Sequence, residues 1–139
     1  MKIMAVDFGD VRTGIAVCDK FEMLASPLCV IKETDEDKLV QKILEQIDEQ
    51  KAEMLVVGLP KNMDGSCGER AQKCESFAKK LEEASNLPTT MWDERLTTVI
   101  SYQSLNSANV WGKKSKQLVD AVAASTILQS FIDYRKNSK

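Results

Sequence analysis

The chain of 139 residues contains no histidine. This absence excludes Ser-His-Asp and Cys-His catalytic groups, histidine general bases and histidine-ligated zinc. The four cysteines include no C-x-x-C pair, so we expect reduced, partly buried thiols rather than a zinc site. Any catalytic chemistry must therefore come from carboxylates, lysines, hydroxyls or thiols.

Long apolar runs and an excess of charge are also lacking. No apolar run approaches the roughly 20 residues that cross a bilayer, and Lys2, a short apolar run and then Asp7 do not form a signal peptide. The net charge of −2 gives no global sign of nucleic-acid binding, so such a site would have to be a local patch. With 43% hydrophobic residues, we expect a single folded domain over residues 1–139, cytoplasmic and without a membrane partner.

The N-terminal stretch of residues 3–9 runs from four apolar residues into Asp7, followed by Phe8 and Gly9. Short apolar runs bounded by glycine are typical of buried strands. Residues 10–17 supply a second run, so we predict a hairpin with Asp7 at the end of its first strand. A carboxylate there costs free energy unless it is paired, hydrogen-bonded or metal-bound. Asp7 is the first candidate functional residue, and a turn former or cap is the alternative.

The rest of the chain alternates between strand and helix patterns. We predict a third strand with Pro27 at an edge or bulge, a helix capped by Thr34 or Asp35, and a final helix from about Ser115 to Tyr134. Between them we predict strands over residues 53–58 and 88–94, helices over 68–84 and 95–105, and a loop over 106–116. This order predicts an α/β fold, with a mixed five-stranded sheet of three antiparallel strands followed by βα units, and helices on both faces.

Three groups of acids could share one rim of that sheet. Asp93 and Glu94 end the last strand, and ligands collect at the carboxyl ends of strands. Asp120 lies on an apolar helix face with Ala123 and Ala124, which would let that helix approach the sheet closely. Such oxygen ligands suit Mg²⁺ or Mn²⁺, and two of these ions can support phosphodiester cleavage. Alternation along the strand leaves open whether Asp93 or Glu94 faces the site, and Asp120 as a plain surface acid is the alternative.

Two polar segments supply candidate phosphate contacts. Lys61 and Asn62 lie in the turn over residues 58–65, although a loop with proline and glycine needs no ligand. Lys113 and Lys114 lie beside Trp111, and lysines can bind phosphates while an indole can stack on a base. A solvated basic loop explains the same residues.

Four blocks together resemble a known family. They are Asp7-Phe8-Gly9 with Arg12 and Gly14, residues 58–60 with 62–65, residues 93–98, and Asp120-Ala121 before Ala123-Ala124. In this order they resemble the YqgF family, also called RuvX, of pre-16S rRNA nucleases and Holliday junction resolvase-like proteins. The resemblance implies a ribonuclease H-like fold related to the RuvC resolvases. It also implies acidic metal ligands at Asp7, Asp93 or Glu94, and Asp120.

The favoured hypothesis is a bacterial hydrolase, an Mg²⁺- or Mn²⁺-dependent endonuclease that acts on structured RNA in 5′-end maturation of pre-16S rRNA. Asp7 would bridge the metals, Glu94 or Asp93 would hold one ion, and Asp120 would hold the other or position the water. Phosphate contacts would come from Arg12, Lys61, Asn62, Arg95, Lys113 and Lys114. The expected partners are pre-rRNA or branched DNA and the ribosome or its small subunit, with the protein a monomer or a weak homodimer.

Three alternatives come from other interpretations of the same residues. A Holliday junction resolvase must place two sites on a two-fold junction and should be a dimer. A kinase-like module is suggested by the acid-glycine hairpin, which resembles that of the actin and sugar-kinase superfamily, but that superfamily needs two domains around a cleft. A non-catalytic RNA-binding ribosome-assembly factor is consistent with the sequence pI of about 5.3. The nuclease hypothesis fails if Asp120 lies far from Asp7 and points into bulk solvent.

Overall fold

The computed structural model describes residues 1–60, 68–93 and 112–137, with the backbone alone for 112–119 and 137. The strands are β1 (Ile3–Asp7), β2 (Arg12–Cys18), β3 (Ala25–Lys32), β4 (Met54–Leu59) and β5 (Thr89–Asp93). The helices are α1 (Glu36–Gln50), α2 (Glu69–Ser85) and α3 (Gly112–Asn137). These elements form a five-stranded sheet in the order β3-β2-β1-β4-β5. Strands β1 to β3 are antiparallel and β4 and β5 run parallel to β1, which confirms the predicted mixed sheet.

Each face of the sheet has its own core. Met4, Val6 and Ile15 pack with residues of α1 and α2. Ile3 and Ala5, which alternate with them along β1, pack with residues of α3 on the other face. A strand buried on both faces must be apolar at every position, which explains why β1 shows no polar alternation before Asp7. The prediction of helices on both faces is confirmed.

The edge strand and the first helix also follow the sequence prediction. Pro27 lies in β3, which is an edge of the sheet, at a register shift where β2 pairs first with Cys29 and then with Pro27. Proline has no N–H to donate, so an edge or a bulge is where it fits. Asp35 caps α1 and accepts hydrogen bonds from the backbone N–H groups of Asp37 and Lys38, at 2.9 and 3.2 Å.

The last helix begins earlier than the sequence suggested. Its first residue is Gly112, so the predicted loop over residues 106–116 is wrong for residues 112–116. Lysine and glutamine are good helix formers, but the apolar pattern that indicates a helix begins only at Leu118. Residues 106–111 and the predicted helix over 95–105 lie outside the described residues. No helix in the described part of the chain has both the length and the apolar character to span a membrane.

Candidate active site

The site begins at Asp7, the last residue of β1. Side chains alternate along a strand, so Asp7 lies on the same face as Ile3 and Ala5, the face that α3 covers. Its partner across the β1–β2 hairpin is Gly14. Cross-strand partners have Cα atoms only about 5 Å apart and present their side chains to the same face. Whatever lies over Gly14 is therefore a neighbour of Asp7.

The backbone of α3 passes directly over Gly14. A Cβ atom added at Gly14 would lie 1.9 Å from the carbonyl oxygen of Asp120 and 2.9 Å from the nitrogen of Ala121. Only glycine permits this approach, since any side chain would overlap the helix backbone. The structure therefore brings Asp120 to the rim where Asp7 lies. The Asp120 side chain is 31% exposed, so the placement that would have refuted the nuclease hypothesis is not found.

Arg12 lies at the same rim and forms an ion pair with Asp120. It is the first residue of β2, two positions before Gly14 and on the same face. Its Nε atom lies 3.7 Å from Oδ2 of Asp120, an ion pair longer than a hydrogen bond. The Arg12 side chain is 46% exposed, and such a pair contributes little to stability. The structure thus brings together Asp7, Arg12 and Asp120, three of the residues that the sequence predicts for the site.

Asp93 lies on the other face of the sheet. It ends β5, where Met91 packs with the core under α1 and α2 and Trp92 packs with the core under α3. By alternation Asp93 shares the face of Met91 and is opposite to Asp7. The Trp92 indole fixes this phase, because its Nε1 donates a 3.2 Å hydrogen bond to Oγ of Ser130 in α3.

The remaining predicted residues have no described side chain. Lys61, Asn62, Glu94, Arg95 and Trp111 lie outside the described residues, whereas Lys113 and Lys114 fall in the first turns of α3, where only the backbone is described. Within residues 1–60, 68–93 and 112–137, no three Asp, Glu or Cys side chains form a group that could hold a metal ion. The third carboxylate of the predicted set, Glu94, lies outside those ranges.

The turn after Asp7 contains a contact that the sequence did not predict. Arg70, the second residue of α2, donates hydrogen bonds from Nη2 to the carbonyl oxygen of Phe8 and from Nη1 to Oδ1 of Asp10, at 2.6 and 2.8 Å. Within the turn, the N–H of Gly9 donates a 3.3 Å hydrogen bond to Oγ1 of the buried Thr13. Because Arg70 is about 60 residues from the turn, no local pattern could have revealed this contact.

A cavity of about 540 Å³ lies behind the same turn. Phe8 and Asp10 line it together with Glu33, Glu69 and other residues of α1 and α2. A hydrogen bond from Lys42 lowers the pKa of Glu33 below its ordinary value. Since Phe8 packs with the core under α1 and α2, this cavity is on the opposite face from Asp7 and Asp120 and is separate from the rim that they form.

Comparison with known proteins decides the family. Residues 1–134 match the family described as "RuvX: Holliday junction resolvase". This chain belongs to the RuvX family. The family resemblance expected from the four sequence blocks is thereby confirmed.

Two relatives and one solved structure indicate the class and the fold of this RuvX member. A protein of Halothermothrix orenii named "Putative pre-16S rRNA nuclease" is 43% identical over 136 residues, which are 97% of this chain and 96% of the relative. A protein of Thermoanaerobacter pseudethanolicus with the same name is 40% identical, with 99% of each chain covered. The RuvC of T. thermophilus, solved with a Holliday junction substrate, has a TM-score of 0.66 at 15% identity, with 99% of this chain and 97% of RuvC covered. This likeness confirms the predicted ribonuclease H-like fold, and the family and its relatives' names confirm the predicted class, a nuclease.

Proposed function

We propose that this RuvX member is an endonuclease that uses Mg²⁺ or Mn²⁺ to hydrolyse phosphodiester bonds in structured RNA, at the 5′ region of pre-16S rRNA. The observation that carries the proposal is that Asp7 is the cross-strand partner of Gly14 and that the backbone of Asp120 passes directly over Gly14. The names of the relatives support the RNA substrate. A cytoplasmic location and an encounter with the small ribosomal subunit belong to the same proposal.

Asp7 and Asp120, together with Glu94, would hold the ions. The donor set is composed of carboxylate oxygens, which are the ligands that Mg²⁺ and Mn²⁺ favour. The close approach of α3 at Gly14 brings two such groups to one rim, so the described residues fit a hard cation. We propose Glu94 rather than Asp93 as the third ligand, because Asp93 lies on the other face of the sheet. When bound, such ions lower the pKa of water and stabilise charge on the leaving oxygen.

Arg12 would contact a phosphate of the substrate. Its guanidinium already lies at the rim beside Asp120, and a planar guanidinium can bind two phosphate oxygens at once. Lys113 and Lys114 precede Asp120 by six or seven helical residues, a distance of about 10 Å along α3. We propose that they, with Lys61, Asn62 and Arg95, extend the phosphate contacts along the RNA.

The test is cleavage of a 5′-labelled pre-16S fragment by the full chain, with Mg²⁺, with Mn²⁺ and with a chelator. We expect Asp7→Asn and Asp120→Asn to cut at least about 100-fold more slowly, since losing a ligand removes several kcal/mol of charge stabilisation. Asp48→Asn is the matched control, because Asp48 is an exposed acid of α1. An Asp7→Asn protein that cuts at the wild-type rate would show the assignment to be wrong.

A Holliday junction resolvase is the second candidate. The family description and the fold shared with RuvC favour it. A four-way junction assayed beside the RNA, with sizing of the protein in both mixtures, separates the two functions. A dimer that cuts the junction and leaves the RNA intact would favour the resolvase, since a two-fold junction needs two sites. A monomer that cuts only the RNA supports the rRNA nuclease.

A further inference from the structure

Arg70 makes three contacts with the turn that follows Asp7, at Phe8 and Asp10. Its guanidinium donates to the Phe8 carbonyl oxygen and to the Asp10 carboxylate, at 2.6 and 2.8 Å. The same guanidinium carbon lies 5.4 Å from the centre of the Phe8 ring. That ring stacks on Phe77 of α2, with 4.3 Å between ring centres and 13° between planes. Because Phe77 is fully buried, the turn is fastened to the core through Phe8.

Contacts from outside the turn are needed to fix its conformation, because its own backbone is flexible. Gly9 is two residues after Asp7, and glycine is the least restrained residue of a chain. A Cβ atom at Gly9 would lie 1.9 Å from the carbonyl oxygen of Arg12, so no stiffer residue fits there. The groups that brace the turn come from the chain beyond it, namely Thr13 of β2 and Arg70 of α2.

The position of this contact decides what it does. The Asp10 side chain is 66% exposed and that of Arg70 is 39% exposed, and ion pairs of this exposure add little to stability. In contrast, an error of about 1 Å in the position of a reacting group can cost about 100-fold in rate. Phe8 directly follows Asp7, so movement of its carbonyl group is passed to the Asp7 backbone without any intervening residue. The contact therefore matters more to the geometry of Asp7 than to the stability of the fold.

We infer that Arg70 is a positioning residue, which holds Asp7 in the orientation required to bind a divalent cation. The inference rests on the proposed function, because it takes Asp7 as a metal ligand. Removing groups that orient a metal ligand typically weakens metal binding about 10- to 100-fold. The change in cation affinity distinguishes positioning from simple electrostatics, since loss of a nearby positive charge would by itself tighten the binding of a cation. Weaker binding after neutralising Arg70 can therefore be told apart from a purely electrostatic effect.

The experiment measures Mn²⁺ affinity by electron paramagnetic resonance, using the full chain and Mn²⁺ alone. We expect Arg70→Gln to raise the dissociation constant at least about 10-fold and to lower the melting temperature by no more than about 4 °C. Arg70→Lys keeps the charge but loses the two-pronged contact, so it should also bind Mn²⁺ more weakly, and it serves if Arg70→Gln does not fold. Lys73→Gln is the control, because Lys73 lies 3.9 Å from the same Asp10 oxygen, whereas the hydrogen bond to the Phe8 carbonyl oxygen comes from Arg70. It should change the constant less than about 2-fold.

Wild-type affinity or tighter binding in Arg70→Gln and Arg70→Lys overturns the positioning role alone. Wild-type protein that binds no Mn²⁺ overturns both this role and the proposed metal site. Wild-type protein that binds Mn²⁺ but cuts neither RNA nor junction overturns the proposed function, while the affinities of the Arg70 variants still decide the inference.

Discussion

The substitution Gly14→Ala tests the feature that joins Asp7 to Asp120. Its methyl carbon would lie 1.9 Å from the carbonyl oxygen of Asp120 and 2.3 Å from its carbonyl carbon. Ordinary contacts between such atoms are about 3.3–3.6 Å. The obstructing atoms belong to a helix backbone, which cannot rotate away as a side chain can. The helix must therefore retreat from β2 by about 1.5 Å at this point, or the strand must bend.

The cost follows from what α3 buries. Its residues Ala121, Ala124 and Leu128 are fully buried between the helix and the sheet. A gap of 0.5–1 Å already forfeits a quarter to a half of each van der Waals attraction. Inserting a methyl group into a packed site costs 1–3 kcal/mol, and we expect about 3 kcal/mol here because the contact is with backbone. For a chain of this size, that lowers the melting temperature by roughly 10 °C.

The same displacement should impair the site. A retreat of α3 carries Asp120 away from Asp7, and an error of about 1 Å can cost about 100-fold in rate. The assays are thermal unfolding followed by circular dichroism, and RNA cleavage at a temperature where the variant is folded. Val11→Ile is the control, since it adds a methyl group at a residue that is 56% exposed, and it should change neither result.

Two outcomes would refute this reasoning. A melting temperature within about 2 °C of the wild type would mean that α3 does not pack against Gly14 as described. A variant that is destabilised but cleaves RNA at the wild-type rate would mean that the separation of Asp7 and Asp120 does not govern the reaction.

Two further predictions concern the half of α3 remote from the site. Arg135 donates a 2.7 Å hydrogen bond to Glu22 and holds the pKa of that carboxyl below its usual range. This ion pair therefore stabilises the fold at neutral pH, and the stabilisation is lost as the pH falls from about 4.3 through the lowered pKa. The melting temperature of the wild type should be slightly higher than that of Glu22→Gln at neutral pH, and the difference should shrink below pH 4. A difference that is constant from pH 7 to pH 2.5 would contradict this. Trp92→Phe keeps an aromatic ring but loses the hydrogen bond to Ser130, and urea unfolding should show a loss of about 1 kcal/mol, whereas an unchanged midpoint would show that this bond does not fasten β5 to α3.

The parts of the site that sequence predicts are those fixed by local pattern. Residues 3–9 show an apolar run, an acid and a glycine, and residues 3–7 fold as β1 with Asp7 at its end. Likewise, alternation predicts that Met91 and Trp92 lie on opposite faces of the sheet, and the two cores agree. In both cases the period of the strand and the placement of glycine carry the information.

The parts that sequence could not predict depend on how distant elements meet. The ion pair of Arg12 with Asp120 joins residues 108 positions apart, and the grip of Arg70 on the turn spans about 60. Neither has a local signal, because each depends on the placement of a whole helix. Gly14 did carry a signal, since glycine inside a strand often marks the close approach of another backbone, although nothing in the sequence names the backbone that approaches.

Asp7 is therefore controlled from both layers of the fold. On one face, α3 approaches through Gly14 and brings Asp120 to the rim. From the other layer, Arg70 and the Phe8 ring hold the turn that follows the acid. The two contacts share no side chain, so each can be disturbed while the other is left in place. The position of Asp7 at the end of β1 is fixed only because a helix on each face of the sheet contacts this region independently. A short apolar strand that ends in an acid is therefore not sufficient to form a site.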